Sequence, residues 1–249
     1  MRAPSAASRA THARAIMQRK LVLFDIDGTI LLSGGAGRRA LVRVMSTTGA
    51  DPDVFGKIRF DGKTDPQIIV ELLREAGHEW SGEQAVIETL SDQYLELLES
   101  ELAAADTPQP TLMPGVIPLL DALHQDARAT LGLVTGNLAR GATLKLRSVG
   151  IDPERFVVGA FGSDSWHRPD LPAIAAGRAQ PHFGHVPSGH DVVIIGDTPA
   201  DVTCGQAIGA KAIGVATGSY SADDLRDAGA YLVVDDLMET HRILDVIFG

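Results

Sequence analysis

The chain has little cysteine, no long apolar stretch and fewer basic than acidic residues, and each of these features excludes or disfavours a class of protein. A single cysteine, Cys204, excludes an internal disulfide and favours a reducing compartment, so a cytoplasmic location is expected. No apolar stretch approaches the ~20 residues that a membrane-spanning helix needs. Basic residues are outnumbered, with 22 Lys and Arg against 32 Asp and Glu, and the formal charge of −10 disfavours nucleic acid as a partner because its phosphates would be repelled.

The first twenty residues have the opposite charge balance. They contain no acidic residue and five basic ones: Arg2, Arg9, Arg14, Arg19 and Lys20. This composition resembles that of a transit peptide, but the segment lacks the apolar core of a secretory signal. The interpretation that we favour is a disordered tail over residues 1–18, or an upstream start codon with Met17 as the natural start.

The hydrophobic pattern of the remaining residues predicts an α/β fold. Apolar runs predict strands at residues 21–24, 130–134, 156–161, 192–195, 211–215 and 231–234. Helical spacing predicts helices at residues 116–124, 141–149, 171–179, 199–208 and 237–247. This alternation is typical of a Rossmann-like parallel sheet with helices on both faces.

One long segment interrupts this alternation. Residues 33–109 are predicted to be helical, and a proline-rich hinge follows them. The segment lies between the first strand and the rest of the sheet, so it is an insertion. We therefore expect a core domain formed by residues 19–32 and 110–249, and an all-helical cap domain formed by residues 33–109.

An acidic pair follows the first predicted strand. Asp25 and Asp27 are two residues apart, so along an extended chain their side chains point the same way. Close carboxylates resist joint ionisation unless a cation neutralises them. Gly28 permits the chain to turn sharply after them. The sequence therefore predicts a site for a hard divalent cation at the end of this strand.

Further acids are expected at the same place. Asp197 directly follows another predicted strand, and Asp201 lies one helical turn further along. Because the carboxyl ends of parallel strands meet at one edge of a sheet, these acids should approach Asp25 and Asp27. Oxygen ligands of this kind suit Mg²⁺, which also keeps waters that a phosphate can replace.

A second set of groups is typical of anion binding. Thr135, Gly136 and Asn137 follow the strand at residues 130–134 and offer a hydroxyl, a backbone N–H and an amide near the start of a helix. Arg168 adds a permanent positive charge with a planar fork of donors. We expect these groups to bind a phosphoryl group beside the metal.

These residue types allow phosphoryl transfer through a covalent intermediate. A carboxylate beside a metal-bound phosphate can act as the nucleophile and form an acyl phosphate. A second carboxylate can protonate the leaving oxygen and later take a proton from the attacking water. Asp25 and Asp27 are suited to these two roles.

Three stretches together resemble motifs of the haloacid-dehalogenase-like hydrolase superfamily: FDIDGT at 24–29, LVTGN at 133–137 and GDTPAD at 196–201. The helical insertion after the first strand is similar to that of the phosphoglycolate phosphatase and β-phosphoglucomutase branch. The resemblance implies a magnesium-dependent phosphatase that hydrolyses a small phosphorylated metabolite through an aspartyl-phosphate.

The resemblance also implies a role for each matching residue. Asp25 would be the nucleophile and a magnesium ligand, and Asp27 the acid/base with its backbone carbonyl on the metal. Thr135 would bind the phosphoryl group. Asp197 would ligate magnesium, and Asp201 would be a ligand or would orient one.

The third motif of the family departs from its usual form. The family usually has a lysine, often followed by proline, before a helix, whereas this chain has Arg168 followed by Pro169. We assign the role of that lysine to Arg168, with Lys145 and Arg178 as alternatives. In the predicted cap, Arg59, Lys63 and Thr64 occupy a turn that could grip the non-reacting end of a substrate, or that could be a solvated loop.

Three other functions compete with a phosphatase. A phosphosugar mutase of the β-phosphoglucomutase type is the main alternative, although Thr29 after Gly28 is commoner in hydrolases. A haloacid dehalogenase is disfavoured because that branch lacks the acid at the position of Asp27. A non-catalytic receiver-like module would share the acidic pocket but not the cap.

Overall fold

The computed structural model describes residues 19–51, 53–78 and 83–249, so the tail predicted over residues 1–18 lies outside the described residues. Its strands are β1 (Lys20–Phe24), β2 (Leu31–Leu32), β3 (Thr111–Leu112), β4 (Ala129–Val134), β5 (Val158–Ala160), β6 (Val192–Gly196), β7 (Lys211–Val215) and β8 (Leu232–Val234). Six of them form a parallel sheet in the order β5-β4-β1-β6-β7-β8. The strands β2 and β3 form a separate antiparallel pair.

The helices begin and end close to the predicted residues. In the inserted segment they are α1 (Ala36–Ser46), α2 (Val54–Lys57), α3 (Asp65–Glu75) and α4 (Gln84–Ala103). Around the sheet they are α5 (Val116–Gln125), α6 (Ala139–Ser148), α7 (Leu171–Phe183), α8 (Pro199–Cys204), α9 (Ala222–Asp227) and α10 (Thr240–Phe248). Within the described residues, none of these helices combines the length and the hydrophobicity that crossing a bilayer requires.

The central strand β1 explains why helices cover both faces of the sheet. Its side chains alternate, so Val22 and Phe24 contribute to one hydrophobic cluster and Leu21 and Leu23 to another. The first cluster includes side chains of α5, α6 and α10, and the second includes side chains of α7. All five residues of β1 are buried, as expected for a strand at the centre of a covered parallel sheet. The predicted fold class is confirmed.

The inserted helices have a hydrophobic cluster of their own. It is formed by apolar side chains of α1 to α4, with Tyr94 and Leu98 of α4 almost fully inaccessible to solvent. Core residue Leu138 joins this cluster, and Trp166 packs against it. The separate clusters support the division into core and cap domains, which stays a prediction.

Several predicted bounds differ from the structure. The strand predicted at residues 156–161 is confined to Val158–Ala160, and the helix predicted from residue 237 begins at Thr240. The helix predicted at residues 171–179 extends to Phe183, and the helix predicted at residues 199–208 ends at Cys204. The antiparallel β2–β3 pair, which brackets the insertion, was not predicted. Strands of two residues carry no alternation that a sequence pattern can reveal, since their pairing depends on contact between distant residues.

Candidate active site

A cavity of about 220 Å³ lies between the carboxyl edge of the sheet and the inserted helices. The core residues that line it include Asp25, Asp27, Thr135, Gly136, Asn137, Lys145, Arg168 and Asp197. The insertion contributes residues that include Arg38, Phe60, Lys63, Asp65 and Tyr94. The structure therefore brings together most of the site residues that the sequence predicts.

Three carboxylates converge at one end of this cavity. Each of Asp25, Asp197 and Asp201 has an oxygen within 4.8 Å of an oxygen of the other two, and all three side chains are buried. The register of the sheet causes this approach, because Phe24 of β1 lies beside Ile195 of β6 and the backbone N–H of Asp25 donates to the Ile195 carbonyl (2.9 Å). This buried group is suited to a metal ion.

The electrostatics of the acidic group support the same conclusion. Burial, followed by repulsion from Asp201, raises the pKa of Asp25 to about 7, although Arg168 acts to lower it. The same two causes, burial and Asp201, raise the pKa of Asp197 to about 9. A divalent cation among these oxygens would stabilise their ionised forms and reverse both shifts. The donor set therefore fits a hard cation.

Small residues create the space for Asp197. A Cβ atom at Gly28, where φ is +82°, or at Gly218 would overlap with the Asp197 carboxylate. The hydroxyl of Thr29 donates to Oδ1 of Asp197 (3.1 Å) and fixes its orientation. Thr29 thus has a positioning role that the sequence analysis missed, although its place in FDIDGT was a signal for it.

Both carboxylate oxygens of Asp201 have protein partners. Oδ2 accepts from the backbone N–H (3.0 Å) and the hydroxyl (2.7 Å) of Thr198, in a capping box at the start of α8. Oδ1 accepts from Arg168. A metal would therefore have to share an oxygen of Asp201 with these donors, which favours an orienting role over direct ligation.

Arg168 is buried beside the acidic group. Its Nη2 atom lies 3.1 Å from Oδ1 of Asp25 and also contacts Asp201. Burial acts to lower the pKa of Arg168, but Asp201 and Asp25 outweigh it and hold that pKa above its ordinary value. Its Nε atom has no hydrogen-bond partner among the described residues. The alternative Arg178 instead pairs with Asp164 (2.7 Å), and it is not among the residues that line the cavity.

The other alternative, Lys145, contacts the second acid of the first motif. Its Nζ atom lies 2.6 Å from Oδ2 of Asp27 and 2.5 Å from Oδ1 of Asn137. Burial acts to lower the pKa of Lys145, but the carboxylates of Asp27 and Asp65 outweigh it and leave the pKa above the ordinary lysine value. The site therefore contains two buried cations, one beside each acid of FDIDGT.

The side chain of Asn137 binds its neighbours within the site. Its Nδ2 donates to Oδ2 of Asp27 (2.8 Å) and to the hydroxyl oxygen of Thr135 (2.8 Å), so both of its N–H groups are engaged. The Thr135 hydroxyl accepts this bond and keeps its own proton to donate. Of the groups predicted to bind phosphate, Thr135 and Arg168 thus retain donors, whereas the amide of Asn137 is directed at Asp27.

Only one of the three cap residues predicted to grip a substrate lines the cavity. That residue is Lys63, whose ammonium pairs with Glu71. Thr64 caps α3 by accepting from the backbone N–H of Gln67 (3.3 Å). Arg59 is not among the cavity-lining residues.

Arg59 forms part of a contact between the insertion and the core. Its Nη2 donates to Ser219 Oγ (3.0 Å), and its guanidinium lies 4.1 Å from the centre of the Tyr220 ring. The backbone N–H of Asp65 also donates to the Gly136 carbonyl (2.8 Å). The inserted helices are therefore docked against the core, which encloses the cavity.

The cavity also has lining residues that the sequence analysis did not predict. Asp65 accepts from the backbone N–H of Leu138 (2.9 Å), and burial, opposed by Lys145, raises its pKa to about 6. Tyr94 reaches the cavity from α4, and burial followed by nearby acids raises its pKa well above the ordinary tyrosine value. The helical spacing of apolar residues identified these helices but not which of their polar side chains face the core.

Known proteins resemble this chain in sequence and fold. A family model described as HAD-hydrolase-like matches residues 171–240. Glycerol-1-phosphate phosphohydrolase 2 of Saccharomyces cerevisiae is 25% identical over 218 residues, which cover 85% of this chain and 80% of the yeast protein. 2-Deoxyglucose-6-phosphate phosphatase 1 of the same yeast is 26% identical over 233 residues, 88% of each chain. The crystal structure of a predicted phosphoglycolate phosphatase from Haemophilus somnus superposes with a TM-score of 0.66 at 20% identity, covering 92% of this chain and 100% of that one.

Proposed function

Because this chain belongs to the haloacid-dehalogenase-like hydrolase superfamily, we propose that it is a magnesium-dependent phosphatase that hydrolyses a small phosphorylated metabolite through an aspartyl-phosphate on Asp25. The observation that carries this proposal is the convergence of three buried carboxylates within 4.8 Å of one another beside a cavity. The buried Arg168 supplies one positive charge for these three carboxylates, and a divalent cation would neutralise the others.

The metal ligands follow from the donor set. Asp25 and Asp197 would bind Mg²⁺ through their carboxylates, and Asp27 would bind it through its backbone carbonyl. Asp201 would hold Arg168 and orient the ligand oxygens. When bound, the ion supplies positive charge that neutralises these acids and the phosphoryl oxygens.

In the first half of the reaction, a carboxylate oxygen of Asp25 attacks the phosphorus of the substrate. The bond from phosphorus to the leaving oxygen breaks, and its electron pair stays on that oxygen. Asp27 donates a proton to the leaving oxygen, which departs as an alcohol. The donors of Thr135 and Arg168 stabilise the charge that develops on the other phosphoryl oxygens.

In the second half, a water molecule attacks the phosphorus of the aspartyl-phosphate. Asp27, now ionised, takes a proton from this water as its oxygen bonds to phosphorus. The bond from phosphorus to Asp25 breaks, its electron pair returns to the carboxylate, and inorganic phosphate is released. The same two acids thus complete both halves and regain their starting states.

The size of the cavity and the relatives suggest which substrates to test first. A cavity of about 220 Å³ accommodates a phosphoryl group with a short leaving group. The yeast relatives are named for a glycerol phosphate and a deoxyglucose phosphate, whose leaving groups are uncharged and hydroxylated. We extend this class to the present chain, while the cytoplasmic location stays a prediction from its single cysteine.

The proposal is tested by measuring phosphate release from a panel of small phosphate monoesters and from p-nitrophenyl phosphate. We expect turnover with Mg²⁺ and its loss when EDTA removes the metal, with heat-denatured protein as the blank. Analysis of the products from hexose phosphates separates hydrolysis from transfer of phosphate to a second hydroxyl. No magnesium-dependent phosphate release from any member of the panel would overturn the proposal.

A further inference from the structure

We infer that Lys145 is a positioning residue for the acid/base Asp27, an inference that rests on the phosphatase function proposed above. Its Nζ atom lies 2.6 Å from Oδ2 of Asp27, and Asn137 donates to that same oxygen from 2.8 Å. Among the described residues, Oδ1 of Asp27 has no hydrogen-bond partner. Lys145 and Asn137 thus fix one oxygen of the carboxylate and leave the other for a substrate.

The exposure of the two partners supports this arrangement. The side chain of Lys145 is 5% exposed, whereas that of Asp27 is 41% exposed and lines the cavity. The ammonium therefore approaches the carboxylate from the protein side, and the carboxylate faces the space where a leaving group would lie. A pair that served only to fill the core would bury both partners.

The inserted helices provide the room that Lys145 needs. A Cβ atom at Gly37 would lie 3.4 Å from the Tyr94 hydroxyl and 3.8 Å from Nζ of Lys145. A longer side chain at this position would compete with the ammonium for the space beside Asp27. Lys145 itself extends from α6 of the core, and Gly37 of the inserted segment leaves space for its ammonium group.

Stability alone gives little reason to place a lysine here. The desolvation of a buried ammonium offsets most of its attraction to a carboxylate, so such pairs contribute little net stability. A hydrogen-bonded partner does, however, restrict the rotation of a carboxylate. A general acid must meet its target oxygen in a narrow geometry, and a displacement of about 1 Å can cost about 10²-fold in rate.

A second buried lysine offers a matched control. Lys20 is also almost fully buried, with its Nζ 2.9 Å from the His190 carbonyl and 3.3 Å from Oδ1 of Asp191. It lies at the amino end of β1, whereas the cavity lies at the carboxyl end. Lys20→Met therefore removes a buried lysine–aspartate pair without touching the site.

The test compares two substrates that differ in leaving group but little in size. Phenyl phosphate needs more help from a general acid than p-nitrophenyl phosphate, because nitrophenolate leaves readily without a proton. The value of kcat/KM reports only the steps up to formation of the aspartyl-phosphate, in which Asp27 acts as the acid. We expect Lys145→Met to lower kcat/KM by about 10²-fold for phenyl phosphate and by less than about 10-fold for p-nitrophenyl phosphate.

The ratio between the two losses of kcat/KM does not depend on the fraction of folded enzyme. Lys145→Gln provides a second variant if Lys145→Met folds poorly. Lys20→Met should leave the ratio at the wild-type value. In an Asp27→Asn background, Lys145→Met should change kcat/KM by no more than about twofold, because the residue that it positions is already disabled. Equal losses for both substrates, or losses that multiply in the double variant, would overturn the inference, whereas a wild-type protein inactive on every member of the phosphate-monoester panel would instead refute the proposed function.

Discussion

The Nη2 atom of Arg168 lies 3.1 Å from Oδ1 of Asp25, and each of these side chains is only 7% exposed. The pair is buried beneath the cavity, at the place where the phosphoryl group would bind. Its counterpart is the pair formed by Lys145 and Asp27, with 2.6 Å between Nζ and Oδ2. Each acid of the FDIDGT segment thus has its own buried cation, so the proposed nucleophile and the proposed acid/base are held by different residues.

We predict that Arg168→Met lowers kcat by about 10²- to 10³-fold, because it removes a preorganised donor and the positive charge beside Asp25. Arg168→Lys should recover part of this loss, since it keeps the charge but not the planar fork. Arg178→Met is the matched control, because Arg178 pairs with the carboxylate of Asp164. Steady-state kinetics of the three variants test this prediction, and equal losses for Arg168→Met and Arg178→Met would contradict it.

We predict that Asp25→Asn abolishes turnover while the protein stays folded. The amide has nearly the same shape as the carboxylate, but it is too weak a nucleophile to form the acyl phosphate. Phosphate release measures the first expectation, and circular dichroism with thermal unfolding measures the second. Magnesium-dependent phosphate release by this variant, purified free of wild-type enzyme, would remove Asp25 from the role of nucleophile.

We predict that Asp197→Ala shifts the magnesium dependence of activity more than Asp201→Ala does. Among the described residues, Asp197 accepts a side-chain hydrogen bond from Thr29 alone, whereas both oxygens of Asp201 are engaged by Thr198 and Arg168. Asp201→Ala should instead reduce stability, because it removes the reciprocal half of the capping box and one carboxylate partner of the buried Arg168. Titrations of activity with Mg²⁺ check the first effect and urea unfolding the second, and superimposable metal titrations would reverse our ranking of the ligands.

We predict that Gly62→Ala impairs catalysis by preventing the insertion from docking on the core. The added Cβ would lie 2.8 Å from Cβ of Ala200, and φ at Gly62 is +75°. Gly77→Ala is a matched control, because φ there is +80° and nothing lies within 4 Å of its Cβ position. Both variants should lose about 1 kcal/mol of stability from backbone strain.

The two glycine variants should differ in kinetics. We expect kcat/KM to fall by at least about 10-fold for Gly62→Ala, because the displaced cap misplaces the groups that line the cavity. Gly77→Ala should retain the wild-type value once the fraction of folded protein is taken into account. If the kcat/KM values of the two variants agree, docking of the segment around Gly62 does not contribute to catalysis.

Several features of the fold and site follow from local pattern and general rules of topology. The apolar runs at β1, β4 and β6 identify buried parallel strands, and parallel strands present their carboxyl ends at one edge. This rule was enough to predict that Asp25, Thr135 and Asp197 meet, although they are far apart along the chain. Their roles in catalysis stay predictions, but their convergence is a feature of the structure.

Other features depended on side-chain directions that no local pattern encodes. The sequence analysis kept Lys145 only as an alternative to Arg168, whereas the structure gives each a different acid. It left Arg59 either as a candidate to grip the substrate or in a solvated loop, whereas the structure places it against Ser219 and Tyr220. These outcomes depend on the orientation of α6 about its axis and on the position at which the inserted segment docks. Both are set by packing between segments that are distant in sequence.

The amino-acid sequence by itself determined the parallel sheet, the insertion and the identity of the acids that gather at the sheet edge, because hydrophobic periodicity and strand direction are local properties of the chain. The tertiary structure alone decided which cation lies beside which acid and which residues of the inserted segment enclose the cavity. Those choices are made by long side chains that reach across several ångströms between elements, and their partners are fixed only when the elements have packed together.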